Sequence, residues 1–233
     1  MTTPIATLSQ ENNISTITLD DGKANAFSFE LLTQVNQLLA QVPRDSGTLV
    51  ITGRDGIFSG GFDLKTLATG DMEKITKMVQ LGYKLLLELY SFERPVIAAV
   101  SGHSIALGLF VTCCADYRIA RDGDFICQAN EVRNNMVIPI QIMEILKARV
   151  NKNFFYPAVF HSQAYSMKDS IAVGYIDEVI ANKDLMKRAM EKAEDLASLP
   201  HPHYANTKKF AQHDLIETIS NSIKKYESQV GLI

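Results

Sequence analysis

One glutamate is a candidate for proton transfer. Glu131 follows the strand-like segment Phe125–Cys127 and precedes the apolar segment Met136–Pro139. A carboxyl group beside apolar surface loses the solvation of its charged form, which raises its pKa towards the neutral range in which a general acid or base works best. A surface glutamate near the start of a helix is the commoner interpretation of such a residue. Glu131 alone leaves both interpretations open.

Two glycine-bearing segments could bring backbone N–H groups close to a ligand. Phe58–Lys65 contains Gly60 and Gly61 between a buried strand and a helix, and Gly102–Gly108 opens the most hydrophobic helix of the chain. Glycine lets the backbone approach a ligand closely, and the free N–H groups at a buried helix start need acceptors. The first segment is neither a P-loop nor a dinucleotide fingerprint. Each segment could also be a simple connector or a tightly packed helix start.

Other catalytic chemistries find no support in the sequence. Ser101 or Ser104 with His103 cannot form a triad, because chain neighbours cannot make the required linear relay. The five histidines contain no helical pair of ligands, so we predict no metal site. Cys113 and Cys114 are adjacent in an apolar run, which indicates small buried thiols in a reducing cytoplasm.

The elements that must position these groups alternate between strands and helices. Apolar periodicity predicts a β-hairpin over residues 5–19, strands at 49–53, 96–100, 117–120 and 175–180, and helices at 28–41, 71–92, 103–115, 140–150, 166–172 and 184–199. Short buried strands that alternate with helices indicate a layered α/β core. We expect this core over residues 1–195 and a helical region over residues 196–233.

Composition and charge exclude several classes of protein. The 233 residues are 46% hydrophobic, which suits a globular chain with a sizeable core, and the net charge of −3 gives no basic field for a nucleic acid. No apolar run approaches the roughly 20 residues of a membrane span, and the first residues lack an export signal. We therefore expect a cytoplasmic protein that binds neither nucleic acid nor membranes.

Six segments in fixed order carry a family pattern. They are residues 21–26 (DGKANA), 58–65 (FSGGFDLK), 94–103 (RPVIAAVSGH), 114–120 (CADYRIA), 130–131 (NE) and 172–179 (AVGYIDEV). Together they resemble the crotonase superfamily, also called the enoyl-CoA hydratase/isomerase family, over about the whole chain. The resemblance implies an α/β fold, a ClpP/crotonase-type spiral of ββα units with a helical C-terminal trimerisation region. It also implies an acyl-CoA thioester substrate, no separate cofactor because coenzyme A is part of the substrate, and a homotrimer or homohexamer.

The resemblance assigns roles to the candidate residues. The family holds the thioester oxygen between two backbone N–H groups, and the matching positions are Gly60 and Leu107. Such an oxyanion hole stabilises the enolate formed beside the thioester, by roughly 3–4 kcal/mol per donor in the best-studied hydrolase case. Glu131 matches one family glutamate, whereas Phe110 stands where the hydratases have a second glutamate. The pattern Asn130-Glu131 resembles the branch of Δ3,Δ2-enoyl-CoA isomerases that work with one carboxylate.

These matches predict an isomerase that converts a 3-enoyl-CoA into the trans-2-enoyl-CoA in fatty acid β-oxidation. One carboxylate suffices for this reaction, because it can take a proton from C2 and return it at C4. An enoyl-CoA hydratase, with a replacement for the second carboxylate, is the enzymatic alternative. The remaining alternative is a non-catalytic relative that binds RNA or a protein, although the most cationic windows of the chain also contain acids.

The resemblance also implies which residues contact the rest of the substrate. The predicted set is Lys23, Ala24, Ala26, Ser59, Gly61, Phe62, Asp63, Leu64, His103 and Phe110, with Lys208 and Lys209 as candidate partners of the CoA phosphates. Two departures from the family pattern affect the expected pocket. Consecutive glycines of the family are replaced here by Ala106-Leu107-Gly108, whose side chains narrow the approach of the substrate. Glu131 is followed by Arg133-Asn134-Asn135, in which Asn135 could take the left-handed conformation.

Overall fold

The computed structural model describes residues 4–230, which form two β-sheets surrounded by helices. The strands are β1 (Ala6–Glu11), β2 (Ile14–Leu19), β3 (Thr48–Gly53), β4 (Gly56–Ser59), β5 (Val96–Val100), β6 (Gly102–Ile105), β7 (Tyr117–Arg121), β8 (Ile126–Gln128), β9 (Tyr165–Ser166) and β10 (Glu178–Ile180). The larger sheet has the order β1-β2-β3-β5-β7-β10 and the smaller sheet the order β4-β6-β8-β9. The β1–β2 hairpin is antiparallel, and β2, β3, β5, β7 and β10 are parallel neighbours.

Eight α-helices connect and cover the sheets within the described residues. They are α1 (Phe29–Leu39), α2 (Leu64–Ala68), α3 (Met72–Tyr90), α4 (Leu107–Cys114), α5 (Ile140–Arg149), α6 (Asp169–Val173), α7 (Leu185–Ala197) and α8 (His201–Val230). Short-range caps set several starts, because the side chains of Ser28 and Asp71 accept hydrogen bonds from the first turns of α1 and α3.

The strands and helices form a repeated ββα unit. In β3-β4-α2-α3, β5-β6-α4 and β7-β8-α5, the first strand joins the larger sheet, the second joins the smaller sheet, and a helical segment follows. Each turn of the repeat therefore advances the chain along both sheets. This is the predicted α/β spiral of the crotonase type, and the structure confirms it.

Both faces of the larger sheet are covered, which explains its continuous apolar strands. All residues of β3 and β5 are buried. One face packs on the main core, which contains the wholly buried α4. The other face packs on α7 through Leu185, Ala189 and Ala193.

The predicted helix over residues 103–115 is wrong in its first part. Gly102–Ile105 forms β6, which pairs with β4 and β8, and the helix begins only at Leu107. Ala106 separates the two elements with a φ of 52°. A Cβ at Gly102 would lie 2.0 Å from the backbone of Gly56, so this glycine permits the close pairing of two strands. The sequence pattern does not reveal this strand, because its apolar residues continue without interruption into the buried helix.

The last helix completes the core of its own chain. α8 packs against α3 and α5, and its Ile219 and Ile223 are buried. Phe210 on the same helix is 79% exposed. The expected boundary between residues 195 and 196 lies near the end of α7, which the structure places at Ala197. Within residues 4–230, no helix has the length and apolar character needed to cross a membrane.

Candidate active site

A mostly apolar cavity of about 300 Å³ contains the candidate acid. Its lining residues come from α2 to α5 and from the segments after β4, β6 and β8: Gly60, Phe62, Leu64, Leu67, Val79, Tyr83, Ala106, Phe110, Asn130, Glu131, Asn134, Met136, Val137, Pro139 and Ile142. Glu131 is the single carboxyl group among these lining residues. The structure thus brings five of the predicted site residues together in one cavity, namely Gly60, Phe62, Leu64, Phe110 and Glu131.

Glu131 is buried, and one oxygen of its carboxyl group has no partner. The residue is 7% exposed, and its Oε2 atom has no hydrogen-bond partner among the described residues. Loss of hydration on burial raises the pKa of Glu131 to about 7. Such a carboxyl group exchanges protons readily near neutral pH, so it is suited to act as both base and acid.

Backbone contacts, rather than side-chain bonds, hold Glu131 in place. It begins a short 3₁₀ turn over Val132–Asn134, and its carbonyl accepts hydrogen bonds from the N–H groups of Asn134 and Met136, each at 2.9 Å. Asn135 has a φ of 58°, the left-handed conformation expected from the sequence. This tight turn presents the carboxyl group to the cavity and leaves the side chain free to reach a substrate.

The residues that α3 and α4 contribute to the cavity include no second acid. Phe110 lies on α4, is 1% exposed, and contributes a ring to the cavity lining. Tyr83 on α3 supplies a hydroxyl group, and burial raises the pKa of this hydroxyl above its usual value. It therefore stays protonated at neutral pH and can donate a hydrogen bond but cannot serve as a base.

The loop after β4 does not offer the Gly60 N–H to a substrate. That N–H group donates to the carbonyl of Ala24 at 2.9 Å, and the Gly61 N–H donates to the Ser59 hydroxyl at 3.1 Å. The structure therefore does not support Gly60 as the first oxyanion donor. The sequence could not reveal this, because the acceptor on Ala24 comes from a distant loop.

The Phe62 N–H is the available donor of this loop. Phe27 donates its N–H to the Gly61 carbonyl at 2.8 Å and accepts the Asp63 N–H at 3.3 Å. This parallel β-bridge joins Phe27 to the Gly61 carbonyl and the Asp63 N–H, which lie on either side of Phe62. The Phe62 N–H therefore points away from Phe27. Among the described residues, the Phe62 N–H has no hydrogen-bond acceptor. We find no sequence signal that distinguishes it from Gly60.

The start of α4 supplies a second available N–H group. Leu107 is the first residue of α4, and no described residue accepts its N–H. A Cβ on Gly61 would lie 2.6 Å from Cβ of Ala106 and 3.3 Å from the Leu107 nitrogen, so the two segments are in close contact. Gly61 also has a φ of 94°, which a residue with a side chain rarely adopts. The glycine thus allows the Phe62 loop to lie against the start of α4.

Several predicted contact residues line a second, neighbouring cavity. Lys23, Ala24, Ala26 and Asp63 border a space of about 360 Å³, together with Ile5, Asp21, Ser28 and Lys65. Asp63 also caps α2, because its carboxylate accepts from the N–H groups of Lys65 and Thr66. Ser59 has a structural role, since its buried hydroxyl donates to the Asn25 carbonyl at 2.7 Å.

Two predicted contact residues lie elsewhere. His103 lines neither of the two cavities. Its Nδ1 accepts the Ile126 N–H at 3.3 Å. The Lys208 ammonium group pairs with Asp116 at 2.7 Å, and its side chain is only 8% exposed. The structure therefore does not support His103 as a substrate contact or Lys208 as a free partner for a phosphate, whereas Lys209 is exposed.

The sequence did not identify most of the apolar wall. Val79 and Tyr83 are four residues apart on α3 and face the cavity with Met136, Pro139 and Ile142. The helical spacing of Val79 and Tyr83 indicated a buried face but not the cavity that it borders. Within the described residues, no cluster of three or more His, Cys, Asp or Glu side chains could hold a metal ion.

The fold and the cavity together define a crotonase-type α/β protein with one buried acid. The family model described as enoyl-CoA hydratase/isomerase matches residues 9–230. The chain therefore belongs to the enoyl-CoA hydratase/isomerase family, whose members act on acyl-CoA thioesters and are typically oligomeric.

Relatives in this family carry both enzyme names. The chain is 23% identical to human mitochondrial enoyl-CoA delta isomerase 1, over 76% of this chain and 60% of the relative. It is 25% identical to a short-chain-enoyl-CoA hydratase of Clostridium acetobutylicum, over 82% of this chain and 74% of the relative. A crystal structure of a probable enoyl-CoA hydratase, ECHA3 from Mycobacterium tuberculosis H37Rv, matches with a TM-score of 0.92 and 33% identity, over 98% of this chain and 97% of that one.

Proposed function

We propose that the protein is an enoyl-CoA isomerase that moves a double bond from the 3 to the 2 position of an acyl-CoA. The observation that carries this proposal is the single buried carboxyl group of Glu131 in an apolar cavity that Phe110 also lines. Isomerisation needs one group that removes a proton and returns it. Hydration needs a water molecule to be activated and a second proton to be delivered, which calls for a further acid or base.

In the proposed mechanism, ionised Glu131 removes a proton from C2 of the 3-enoyl thioester. The electrons move onto the thioester oxygen, which accepts hydrogen bonds from the N–H groups of Phe62 and Leu107. Both N–H groups are without acceptors among the described residues, so they are ready for a developing negative charge. Protonated Glu131 then delivers the proton to C4, and the double bond shifts into conjugation with the thioester.

The CoA portion is proposed to lie along the second cavity. Lys23 and Lys65 border that space and provide positive charge for the phosphates, in place of Lys208. The hydrogen bond from Gly60 to Ala24 ties the wall of this cavity to the loop that carries Phe62. Loss of that bond would disturb both parts of the site.

A homotrimer or homohexamer, a cytoplasmic location and a role in fatty acid β-oxidation remain predictions. Exposed apolar side chains support an assembly, notably Tyr156 at 67%, Phe160 at 46% and Phe210 at 79% exposure. Burial of such groups in an interface removes apolar surface from water. Sedimentation of the purified chain would distinguish a monomer from either oligomer.

Hydration is the second candidate function, because a relative named as a hydratase covers 82% of the chain. Incubation with 3-hexenoyl-CoA and with crotonyl-CoA separates the two reactions. An isomerase produces the absorbance of a conjugated thioester from 3-hexenoyl-CoA and leaves crotonyl-CoA unchanged. Loss of that absorbance with crotonyl-CoA would instead identify a hydratase, and no change with either substrate would favour a non-catalytic relative.

A further inference from the structure

A separate cavity lies at the carboxyl ends of strands of the larger sheet, beside the start of α7. It has a volume of about 330 Å³ and is lined by Thr18, Thr52, Gly53, Asp55, Ser101, Arg121, Lys183, Leu185 and Met186. None of these residues lines the cavity that contains Glu131. The lining comes from the carboxyl ends of the parallel strands β2, β3, β5 and β7 and from the first turn of α7.

Arg121 gives this cavity a buried positive charge. The residue is 9% exposed, and its guanidinium group lies 4.7 Å from the centre of the Phe125 ring. One terminal nitrogen pairs with Asp55 and donates to the Ser101 carbonyl at 3.2 Å. The Nε atom has no acceptor among the described residues, although it is buried. A buried donor without an acceptor is costly, so the guanidinium is not fully satisfied by its own chain.

Asp55, the ion-pair partner of Arg121, is exposed to solvent. Its side chain is 88% exposed, so it contacts Arg121 from the solvent side. An exposed carboxylate forms a weak ion pair with its partner, because water competes for both charges. An anion of higher charge could therefore replace Asp55 beside the guanidinium.

Lys183 adds a second positive charge to this cavity. It lies in the 3₁₀ turn Asn182–Asp184, from which α7 continues directly at Leu185. Lys183 is exposed and borders the same cavity. Among the lining residues, the two cations Arg121 and Lys183 thus accompany a single acid, Asp55.

We propose that this cavity is a phosphate-binding site, distinct from the acyl-CoA site and independent of its chemistry. A phosphate offers several acceptor oxygens, which suits a guanidinium group and an ammonium group that border one cavity from different elements. Asp55 is the internal competitor that a bound phosphate displaces from Arg121. The ligand is inorganic phosphate or a phosphomonoester group on a larger molecule, since both present the same oxygens.

Titration of the intact protein at constant ionic strength tests this site. The readout is the side-chain Nε–H signal of Arg121 in a proton–nitrogen correlation spectrum, assigned by its loss in Arg121→Gln. Inorganic phosphate and AMP are the two probes. A saturable shift with phosphate supports the site, and saturation with AMP alone supports it with an organic phosphomonoester as the ligand. Absence of saturation with both probes in the millimolar range overturns it.

Four variants provide the comparison, with thermal stabilisation by phosphate as the measure of binding. Asp55→Asn is expected to bind phosphate about threefold more tightly, because the competing carboxylate is gone. Arg121→Gln and Lys183→Gln are expected to bind more weakly. Lys187→Gln is the matched control, because Lys187 is an exposed lysine of α7 outside the cavity. Equal phosphate responses in wild type, Asp55→Asn and Lys183→Gln would overturn the proposal, even if Arg121→Gln does not fold.

Discussion

Replacement of Glu131 by glutamine should remove activity and stabilise the fold at alkaline pH. Burial raises the pKa of Glu131 from 4.5 to about 7. The folded protein therefore binds this proton more tightly than the unfolded chain. The corresponding stability is fully present below pH 4.5 and is lost as the pH rises through 7. A shift of this size amounts to about 3 kcal/mol at pH 8.

Glutamine has nearly the same shape and does not ionise, so Glu131→Gln does not undergo this loss. Its free energy of unfolding should exceed that of the wild type by up to about 3 kcal/mol at pH 8 and by little at pH 5. Denaturant unfolding of both proteins at the two pH values measures the difference. Glu217→Gln is the matched control, because Glu217 is an exposed glutamate on α8 and should give no such dependence.

Activity provides the second measurement on the same variant. With 3-hexenoyl-CoA, kcat/KM of Glu131→Gln should fall by about a hundredfold or more, as expected on removal of a general base. In the wild type, kcat/KM should rise about tenfold from pH 6 to pH 8, because the reactive form of Glu131 is the ionised one. A variant that keeps its activity, or a difference in stability that does not change with pH, would refute the role of Glu131 as a buried base.

Two further substitutions test the surroundings of Glu131, and a third tests the structural role of Lys208. Ala106→Gly should raise the free energy of unfolding by about 1 kcal/mol in denaturant titrations, because Ala106 has a φ of 52° that glycine adopts without strain. Phe110→Glu should lower that free energy by about 3 kcal/mol, since the side chain is buried. The same variant should gain hydration of crotonyl-CoA above the wild-type rate. Lys208→Met should cost about 3–5 kcal/mol in denaturant titrations by leaving Asp116 without its cation, while KM for the acyl-CoA stays unchanged.

The sequence predicts the elements better than their assignment to sheets. Residues 49–53 and 96–100 are short apolar segments with turns on either side, and both are strands of the larger sheet. The strands of the smaller sheet are harder to predict from the sequence. Gly56–Ser59 is short, and Gly102–Ile105 continues without a break into α4. Periodicity cannot separate a short buried strand from a buried helix that follows it directly.

Prediction of the site residues likewise depends on whether the contacts that define them are close or distant in sequence. The apolar neighbours of Glu131 made it a candidate but left two interpretations open, and the resemblance to the family decided between them. Burial then raises its pKa in the structure. The choice between Gly60 and Phe62 could not be made in this way. It depends on the Ala24 carbonyl and on the bridge to Phe27, which only folding brings next to the loop. Hydrogen-bond partners that are distant in sequence therefore set the limit of prediction.

The proposed preference for isomerisation rests on what the cavity lacks. A base that holds a proton between C2 and C4 must not lose it to water, and an apolar lining around Glu131 slows that exchange. Phe110 fills the position from which a second acid could bind and orient water, and Tyr83 keeps its proton at neutral pH. The same burial that raises the pKa of Glu131 thus also protects the transferred proton. For this reason, hydration should appear only when Phe110 is replaced by a group that can hold water.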